Sequence, residues 1–280
     1  MSAVILDGKA LAAKTKERIR AEVETLPRQP GLAVVLVGEN PASQVYVRNK
    51  VKDCSECGIA CFDFYLPQDA SEDQVLTLIA ELNERADIDG ILVQLPLPKQ
   101  IEEKKVLEAI DPSKDVDAFH PVNMGRILRG DALFQPCTPA GVMEFFKEYN
   151  ISIAGKKCVV VGRSNIVGKP MALLLLQANG TVTVCHSHTP DLREQCCQAD
   201  ILVAAVGREN LITADMVKDG AVVIDVAMNR NAAGKLCGDV DYVAVAGKAS
   251  YITPVPGGVG PMTRAMLMQN TLTAAKARQK

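Results

Sequence analysis

Tyr46 and Lys50 stand four residues apart. On a helix that spacing puts both side chains on one face, and the face continues to Asp53 and Cys57. A lysine crowded by other cations, here Arg48 and Lys52, has its pKa lowered toward neutrality and can exchange a proton at ordinary pH. The bland alternative is a solvated helix face. Further along, Gln94 closes a buried apolar run, in Val93-Gln94-Leu95-Pro96. Ligands of open parallel sheets bind beyond the carboxyl ends of the strands, so an amide there is placed for ligand contact. Asp115 and Asp117 add two carboxylates in Lys114-Asp115-Val116-Asp117.

A second site announces itself at Val159-Val160-Val161-Gly162-Arg163-Ser164-Asn165-Ile166-Val167-Gly168. A strand runs into a glycine turn and then a helix, as in loops that hold a pyrophosphate on helix N-terminal amides. The fit to G-x-G-x-x-G is imperfect. Ser164 takes the second glycine position, and the last glycine comes one residue late. The alternative is a purely structural strand-to-helix turn. NAD-binding folds place Asp or Glu about 20 residues on, to grip the ribose 2′-hydroxyl. Here the next strand ends in His186-Ser187-His188, with no acid before Asp191. A carboxylate would repel a 2′-phosphate, whereas Arg163 and Ser187 could bind one, which favours NADP. His188 reads as an ordinary loop residue.

Elements able to position these groups alternate along the chain. Strands are expected at 32–37, 59–66 and 90–94, and helices at 43–57, 69–85 (Ser71 as N-cap) and 99–110. This β-α series is the sign of a parallel sheet covered on both faces. Residues 111–135 hold Pro112, Pro121, Gly125 and Gly130 and few periodic apolar positions. They read as an irregular functional stretch or a domain linker. A second α/β series follows. Pro139 sits in the first turn of a helix to about Tyr149. Strands are expected at 157–161, 181–185, 201–206 and 221–226, with helices at 168–179, 191–198 and 214–218. After Pro261 the chain reads as helix, with Met262, Met266 and Leu267 on its core face.

Composition excludes several classes. The 280 residues fit about two domains. The net charge of −2 gives no electrostatic reason for nucleic acid or an anionic membrane as partner. Aromatics at 4%, with no Trp, leave little for base stacking. No apolar run approaches the ~20 residues needed to span a bilayer. Nine scattered cysteines read as reduced thiols rather than a disulfide scaffold. Cys54, Cys57 and Cys61 lack the partners for a four-ligand metal site, so no metal is expected. The N-terminal apolar stretch is too short for a signal peptide, and Asp7, Glu17 and Glu22 argue against a transit peptide. A cytoplasmic location is expected.

Taken together, the motifs resemble the bifunctional methylenetetrahydrofolate dehydrogenase/cyclohydrolase family over almost the whole chain. The resemblance rests on Ser43-Gln44-Val45-Tyr46-Val47-Arg48-Asn49-Lys50, Val93-Gln94-Leu95-Pro96-Leu97-Pro98 and Pro112-Ser113-Lys114-Asp115-Val116-Asp117. It continues through Pro136-Cys137-Thr138-Pro139, the Gly162 to Gly168 loop, and Pro254-Val255-Pro256-Gly257-Gly258-Val259-Gly260-Pro261. It implies an α/β fold with an N-terminal catalytic domain at 1–137, completed by 262–280, and a Rossmann domain at 138–261. The C-terminal helix would return to the first domain. Lys50 would be the catalytic lysine, assisted by Gln94. Tyr46 would pack on the folate rings and Asp117 would hydrogen-bond the pterin. Val93, Leu95 and the backbone of Pro256, Gly257, Gly258, Val259 and Gly260 would line the folate. Gly162, Arg163, Ser164, Ser187 and Met228 would contact NADP. A homodimer through the nucleotide domain is implied, with tetrahydrofolate derivatives as substrates.

Two alanines, Ala118 and Ala227, stand where that family usually has glycine. If either needs φ > 0, the alanine costs about 1 kcal/mol or more. Two other readings remain. A short-chain dehydrogenase also uses Tyr-x-x-x-Lys, but its glycine loop precedes the pair, whereas here Lys50 precedes Gly162. A non-catalytic nucleotide sensor would need the loop but not Lys50, Gln94 and Asp117 together.

Overall fold

The computed structural model describes residues 2–39 and 41–279, with the side chains of 41–46 outside the described part. The chain begins with β1 (Val4–Ile5), α1 (Gly8–Val23), β2 (Gly31–Val37) and α2 (Pro41–Cys57). Next come β3 (Ala60–Leu66), α3 (Glu72–Glu84), β4 (Gly90–Val93), α4 (Glu103–Glu108), α5 (Pro121–Arg129) and α6 (Cys137–Glu148). The second series is β5 (Lys157–Val161), α7 (Gly168–Gln177), β6 (Thr181–Cys185), α8 (Leu192–Cys197), β7 (Ile201–Ala204) and β8 (Val222–Asp225). Two short strands, β9 (Asn229–Arg230) and β10 (Leu236–Cys237), form an antiparallel pair. The chain closes with α9 (Tyr242–Ala246), β11 (Tyr251–Ile252) and α10 (Val259–Arg278).

These elements form two compact units. The three-stranded unit comprises Ala13–Cys137 and Arg264–Lys280, with a parallel sheet in the order β3-β2-β4. The whole of β2 is buried, as a central strand covered on both faces must be. One face packs Ala33, Val35 and Val37 against Val75, Ile79 and Leu82 of α3. Ser71 caps α3 through a reciprocal capping box with Gln74. Within this unit α10 buries Met268, Leu272 and Ala275. Its polar residues tie it down, with Arg264 on Asp53 and Lys276 on Glu22.

The six-stranded unit comprises Met1–Ala12 and Thr138–Thr263. Its sheet has the order β1-β11-β8-β7-β5-β6, and every pairing within it is parallel. From β5 the chain moves outward to β6 and then returns to place β7 on the other side of β5. That reversal opens a crevice at the carboxyl ends of β5 and β7, where doubly wound sheets take their ligands.

Three expectations need correction. Residues 1–12 were expected in the first domain, but β1 adds to β11 as the edge of the larger sheet, and Ala3 lies in that sheet's core. The supposedly irregular stretch 111–135 contains α5, capped by His120 and ended by Gly130 in the left-handed region at φ 81. Only Asn123 and Ile127 of α5 are buried, and with Pro121 and Gly125 inside nine residues the segment reads as loop. The helix expected at 214–218 is a single 3₁₀ turn, Ala214–Met216.

Lys114 joins the three-stranded unit internally. Its side chain is fully buried, and Nζ donates to the carbonyls of Leu82, Asn83 and Arg85 at 3.0, 2.6 and 2.8 Å. It thereby satisfies carbonyls that the end of α3 leaves without helical partners. Replacing Lys114 by Met keeps the stem and orphans those acceptors. The expected loss is about 2–4 kcal/mol of unfolding free energy in urea titrations. An unchanged midpoint and slope would show that these bonds contribute nothing net.

Candidate functional site

In the three-stranded unit, Lys50 lies on α2 and Gln94 directly follows β4. Gln94 N–H continues the ladder by donating to the Val35 carbonyl at 2.8 Å, which fixes where its side chain emerges. Its amide nitrogen donates to the Leu95 carbonyl at 2.7 Å, so Oε1 is left facing Lys50. Lys50 Nζ donates to that oxygen at 2.9 Å. Both side chains are half-buried. Burial pushes the Lys50 pKa down, opposed by the Asp117 charge. Burial likewise pushes Asp117 up, opposed by Lys50. The sequence pointed instead to Arg48 and Lys52 as the cause of the lowering, but desolvation is the larger effect. The Tyr46 side chain lies outside the described residues; its backbone is part of α2.

Asp115 and Asp117 have different tasks. The segment before α5 runs beside β4, with Ile91 N–H on the Lys114 carbonyl and a parallel bridge from Ile91 to Asp115. Asp115 is buried, and its carboxylate accepts from Phe119 N–H, His120 N–H and Asn123 Nδ2 at 3.2, 2.8 and 2.8 Å. It builds the turn. Asp117, two residues on, is half-buried beside Cys137, whose thiol donates to the Val116 carbonyl at 3.4 Å, which leaves the Asp117 carboxylate acceptor capacity for a ligand. The turn bends at Ala118, which holds φ 59. The sequence concern over Ala118 is therefore real, whereas Ala227 is not among the described residues with positive φ.

Two neighbours carried no sequence-derived role. Cys137 is buried beside Asp117 and Lys50, and burial holds its thiol well above the ordinary range. Asn270, on α10, donates to the carbonyls of Val116 and Gln135, both at 2.8 Å. A polar residue on the apolar face of the C-terminal helix was the available signal. Elsewhere, Cys54 and Cys57 are fully buried, and burial pushes the Cys57 thiol up to about 12.

In the six-stranded unit, Gly162 N–H donates to the Cys185 carbonyl at 2.8 Å, so the turns after β5 and β6 leave the sheet side by side. Arg163 and Ser187, each two residues past the paired positions Val161 and Cys185, are both exposed there. Gly162 has φ 123, and a Cβ on it would lie 2.2 Å from the Ala205 carbonyl oxygen. A Cβ on Gly168 would meet the Gly162 carbonyl oxygen at 2.3 Å. Strand, turn and helix thus approach as closely as a pyrophosphate loop requires. Ser164 Oγ accepts from Val167 and Gly168 N–H at 3.2 Å each, so it shapes the loop as well as facing it. His186 orders the neighbouring turn, its ring Nδ1 accepting from His188 N–H. Met228 follows β8 at the same edge, 47% exposed, as is Val206 after β7. These groups fit a dinucleotide, with an apolar rim at one end and a cation at the other.

Pro256, Gly257, Gly258, Val259 and Gly260 belong to the six-stranded unit, while Lys50, Val93, Gln94, Leu95 and Asp117 belong to the three-stranded one. Gly257 has φ 108, and its carbonyl accepts Gly8 N–H at 3.0 Å. A hollow of about 330 Å³ also opens in the six-stranded unit, lined by Lys156, Asp200, Lys218, Ser250 and Tyr251 among others. It lies at the amino ends of the strands, opposite the Gly162 turn, and Lys218 pairs with Asp200 there at 2.6 Å. It is not the dinucleotide crevice.

Fold and crevice define a dinucleotide-binding α/β protein with a second, lysine-centred site. Family models sharpen that class. Residues 6–117 match the tetrahydrofolate dehydrogenase/cyclohydrolase catalytic domain, and residues 136–279 match the NAD(P)-binding domain of the same family. The bifunctional protein FolD of Acetivibrio thermocellus is 58% identical over 283 residues, covering 100% of this chain and 99% of that protein. A Campylobacter jejuni structure, described as the bifunctional enzyme FolD, methylenetetrahydrofolate dehydrogenase/cyclohydrolase, superposes with TM-score 0.97 at 50% identity, covering 99% and 100% of the two chains. A Trypanosoma brucei methylenetetrahydrofolate dehydrogenase-cyclohydrolase, complexed with NADP and inhibitor, gives TM-score 0.94 at 38% identity over 99% and 98%. The chain belongs to the tetrahydrofolate dehydrogenase/cyclohydrolase family.

Asn270 gives this geometry a direct test. Asn270→Asp replaces two donors by acceptors facing two carbonyls. The variant should lose about 1–3 kcal/mol of stability and show a raised KM for folate, because Val116 precedes Asp117. Wild-type stability and kinetics would show that α10 does not hold this loop.

Proposed function

We infer that the chain is a bifunctional one-carbon folate enzyme. It oxidises methylenetetrahydrofolate to methenyltetrahydrofolate with NADP and then hydrolyses the product to 10-formyltetrahydrofolate. The observation that carries this is the Lys50–Gln94 pair, a desolvated amine on a fixed amide oxygen at a strand end. A simple alcohol dehydrogenase has no use for it, and neither does a nucleotide sensor.

The first reaction moves a hydride from the one-carbon bridge, and the two flanking nitrogens stabilise the cation that results. NADP, when bound, supplies the hydride acceptor. The protein's part is alignment and exclusion of water. Gly162, Arg163, Ser164 and Ser187 would hold the phosphates, and Met228 would flank the ring. Asp117 would accept hydrogen bonds from the pterin. Val93 and Leu95 would line the folate.

Hydrolysis needs protons moved. Neutral Lys50 takes one from the water that adds to the methenyl carbon. The resulting ammonium, steadied by Gln94 Oε1, returns a proton to the departing nitrogen as the C–N bond breaks, and the carbinol O–H proton is released to solvent as the formyl C=O forms. Lowering the Lys50 pKa raises the fraction of neutral amine at a given pH, so hydrolysis should quicken as pH rises through that pKa.

The two-domain division of labour follows: folate chemistry in the three-stranded unit and cofactor binding in the six-stranded one. A homodimer through the nucleotide unit is supported by the open edge at β6, where Val184 is exposed. A cytoplasmic location is supported by nine free cysteines. Among the described residues, no helix is long and apolar enough to cross a membrane.

Lys50→Gln keeps most of the side-chain length. It should lower cyclohydrolase activity by about 10²-fold or more while leaving dehydrogenase activity readily measurable in the same preparation. A parallel fall of both would make Lys50 a positioning residue. Arg163→Ala should raise KM for NADP by roughly tenfold or more, because a charge-assisted phosphate contact contributes about 1.5–3 kcal/mol. Weak use of NAD should change little, and equal losses with both cofactors would remove Arg163 from the 2′-phosphate.

A further inference from the structure

Asp239 has no solvent exposure, yet its carboxylate accepts four N–H donors from two separate loops. Oδ2 takes Val206 and Gly207 N–H at 2.7 and 3.1 Å. Oδ1 takes Arg208 N–H at 2.6 Å and Asn229 Nδ2 at 3.0 Å. Val206 to Arg208 follow β7, and Asn229 follows β8. Both segments leave the carboxyl edge of the sheet beside the Gly162 turn, since β7 lies between β5 and β8. Past the end of β7 the Val206, Gly207 and Arg208 amides have no ladder to join, and Asn229, on β9, reaches Asp239 with its side-chain amide.

Asp239 is itself anchored. Its N–H and that of Val240 donate to the two oxygens of Asp225 at 3.0 and 2.9 Å. Asp225 closes β8, and its carboxylate also accepts Ala227 N–H at 3.2 Å. Gly238 permits this, because a Cβ there would lie 1.9 Å from Asp225 Oδ2. A chain of bonds therefore runs from Asp225 through the Asp239 backbone to the Asp239 carboxylate and out to both crevice loops.

We propose that Asp239 is the positioning residue of the dinucleotide crevice: its carboxylate sets the Val206–Gly207–Arg208 turn and the Met228–Asn229 segment that form the crevice wall facing Gly162. Burying a carboxylate is unfavourable unless its lone pairs are filled. Here every donor that fills them belongs to a crevice loop, and no cation is among them. The arrangement is the protein counterpart of an outer shell that orients the groups touching a ligand. The proposal rests on the crevice being the NADP site.

Asp239→Asn keeps the size but turns an N–H₂ toward N–H donors, breaking about half of the set. NADP dissociation constants from calorimetry should rise at least tenfold, and dehydrogenase kcat/KM should fall at least as far. Cyclohydrolase activity, assayed on methenyltetrahydrofolate without NADP, should stay within twofold of wild type. Asn229→Ala removes one donor and leaves the backbone turn bonded. It should fold normally and weaken NADP binding two- to fivefold. NADP affinity unchanged in both variants overturns the proposal. So does a parallel loss of both activities in Asp239→Asn together with unaltered NADP binding in Asn229→Ala. A wild-type protein that neither binds NADP nor reduces it with methylenetetrahydrofolate would instead overturn the functional reading.

Discussion

A parallel strand ends with backbone amides that the sheet no longer pairs, and the ligand-binding loops of this fold must be built from that unpaired chain. Here the amides are collected by buried carboxylates. Asp115 gathers the turn that runs beside β4 into α5, Asp225 the turn after β8, and Asp239 the turns after β7 and β8. A carboxylate offers about four acceptor sites at one point, which a hydroxyl or amide cannot match. It can bind several successive N–H groups and so define a turn with no strand beside it. Desolvation is the opposing effect. Burial raises the pKa of Asp225 to about 6, despite three amides that favour its charged form.

The same balance separates structural from chemical groups. Asp115 and Asp117 are two residues apart in one motif, but Asp115 spends its oxygens on the protein. Asp117 faces Cys137 and Lys50 and keeps capacity in reserve. Lys114 and Lys50 divide the same way. Both have pKa values lowered by burial. Lys114 directs its three protons at three carbonyls, whereas Lys50 has Gln94 as its hydrogen-bonded partner. A perturbed pKa alone does not identify the working residue; the count of committed partners does.

Much of this was legible in the sequence, for physical reasons. Central strands buried on both faces are unbroken apolar runs, so β2, β5 and β7 stand out, and capping at Ser71 or the glycine turn at Gly162 marks where helices begin. Lys50 and Gln94 could be paired because one lies on the helix after β2 and the other at the end of its neighbour β4. What escaped lacks a local period. Residues β1 and β11 are two-residue strands whose pairing spans most of the chain. The α5 helix is only nine residues long and carries Pro121 and Gly125, which read as turn signals. Nothing anticipated α1, although Leu11, Thr15, Ile19 and Val23 are buried at helical spacing; its many charges mask the pattern. Asn270 and Asp239 were illegible as site residues because their partners are carbonyls and amides, which no residue type announces.

The two alanines show how far a single position can be read. Where the family usually has glycine, Ala118 adopts φ 59 and Ala227 does not share that conformation among the described residues. Left-handed backbone at a residue with a Cβ costs about 1–2 kcal/mol, but Ala118 is fully buried and its methyl gains roughly 0.8 kcal/mol from packing. Glycine there would also leave a more flexible unfolded chain to order. Strain and compensation are then of similar size. The Asp115 carboxylate, bonded to Phe119 and His120 on the far side of Ala118, is what over-determines the turn. A loop fixed from both sides tolerates the wrong residue at its apex. A turn so held keeps Asp117 beside Lys50 and Cys137.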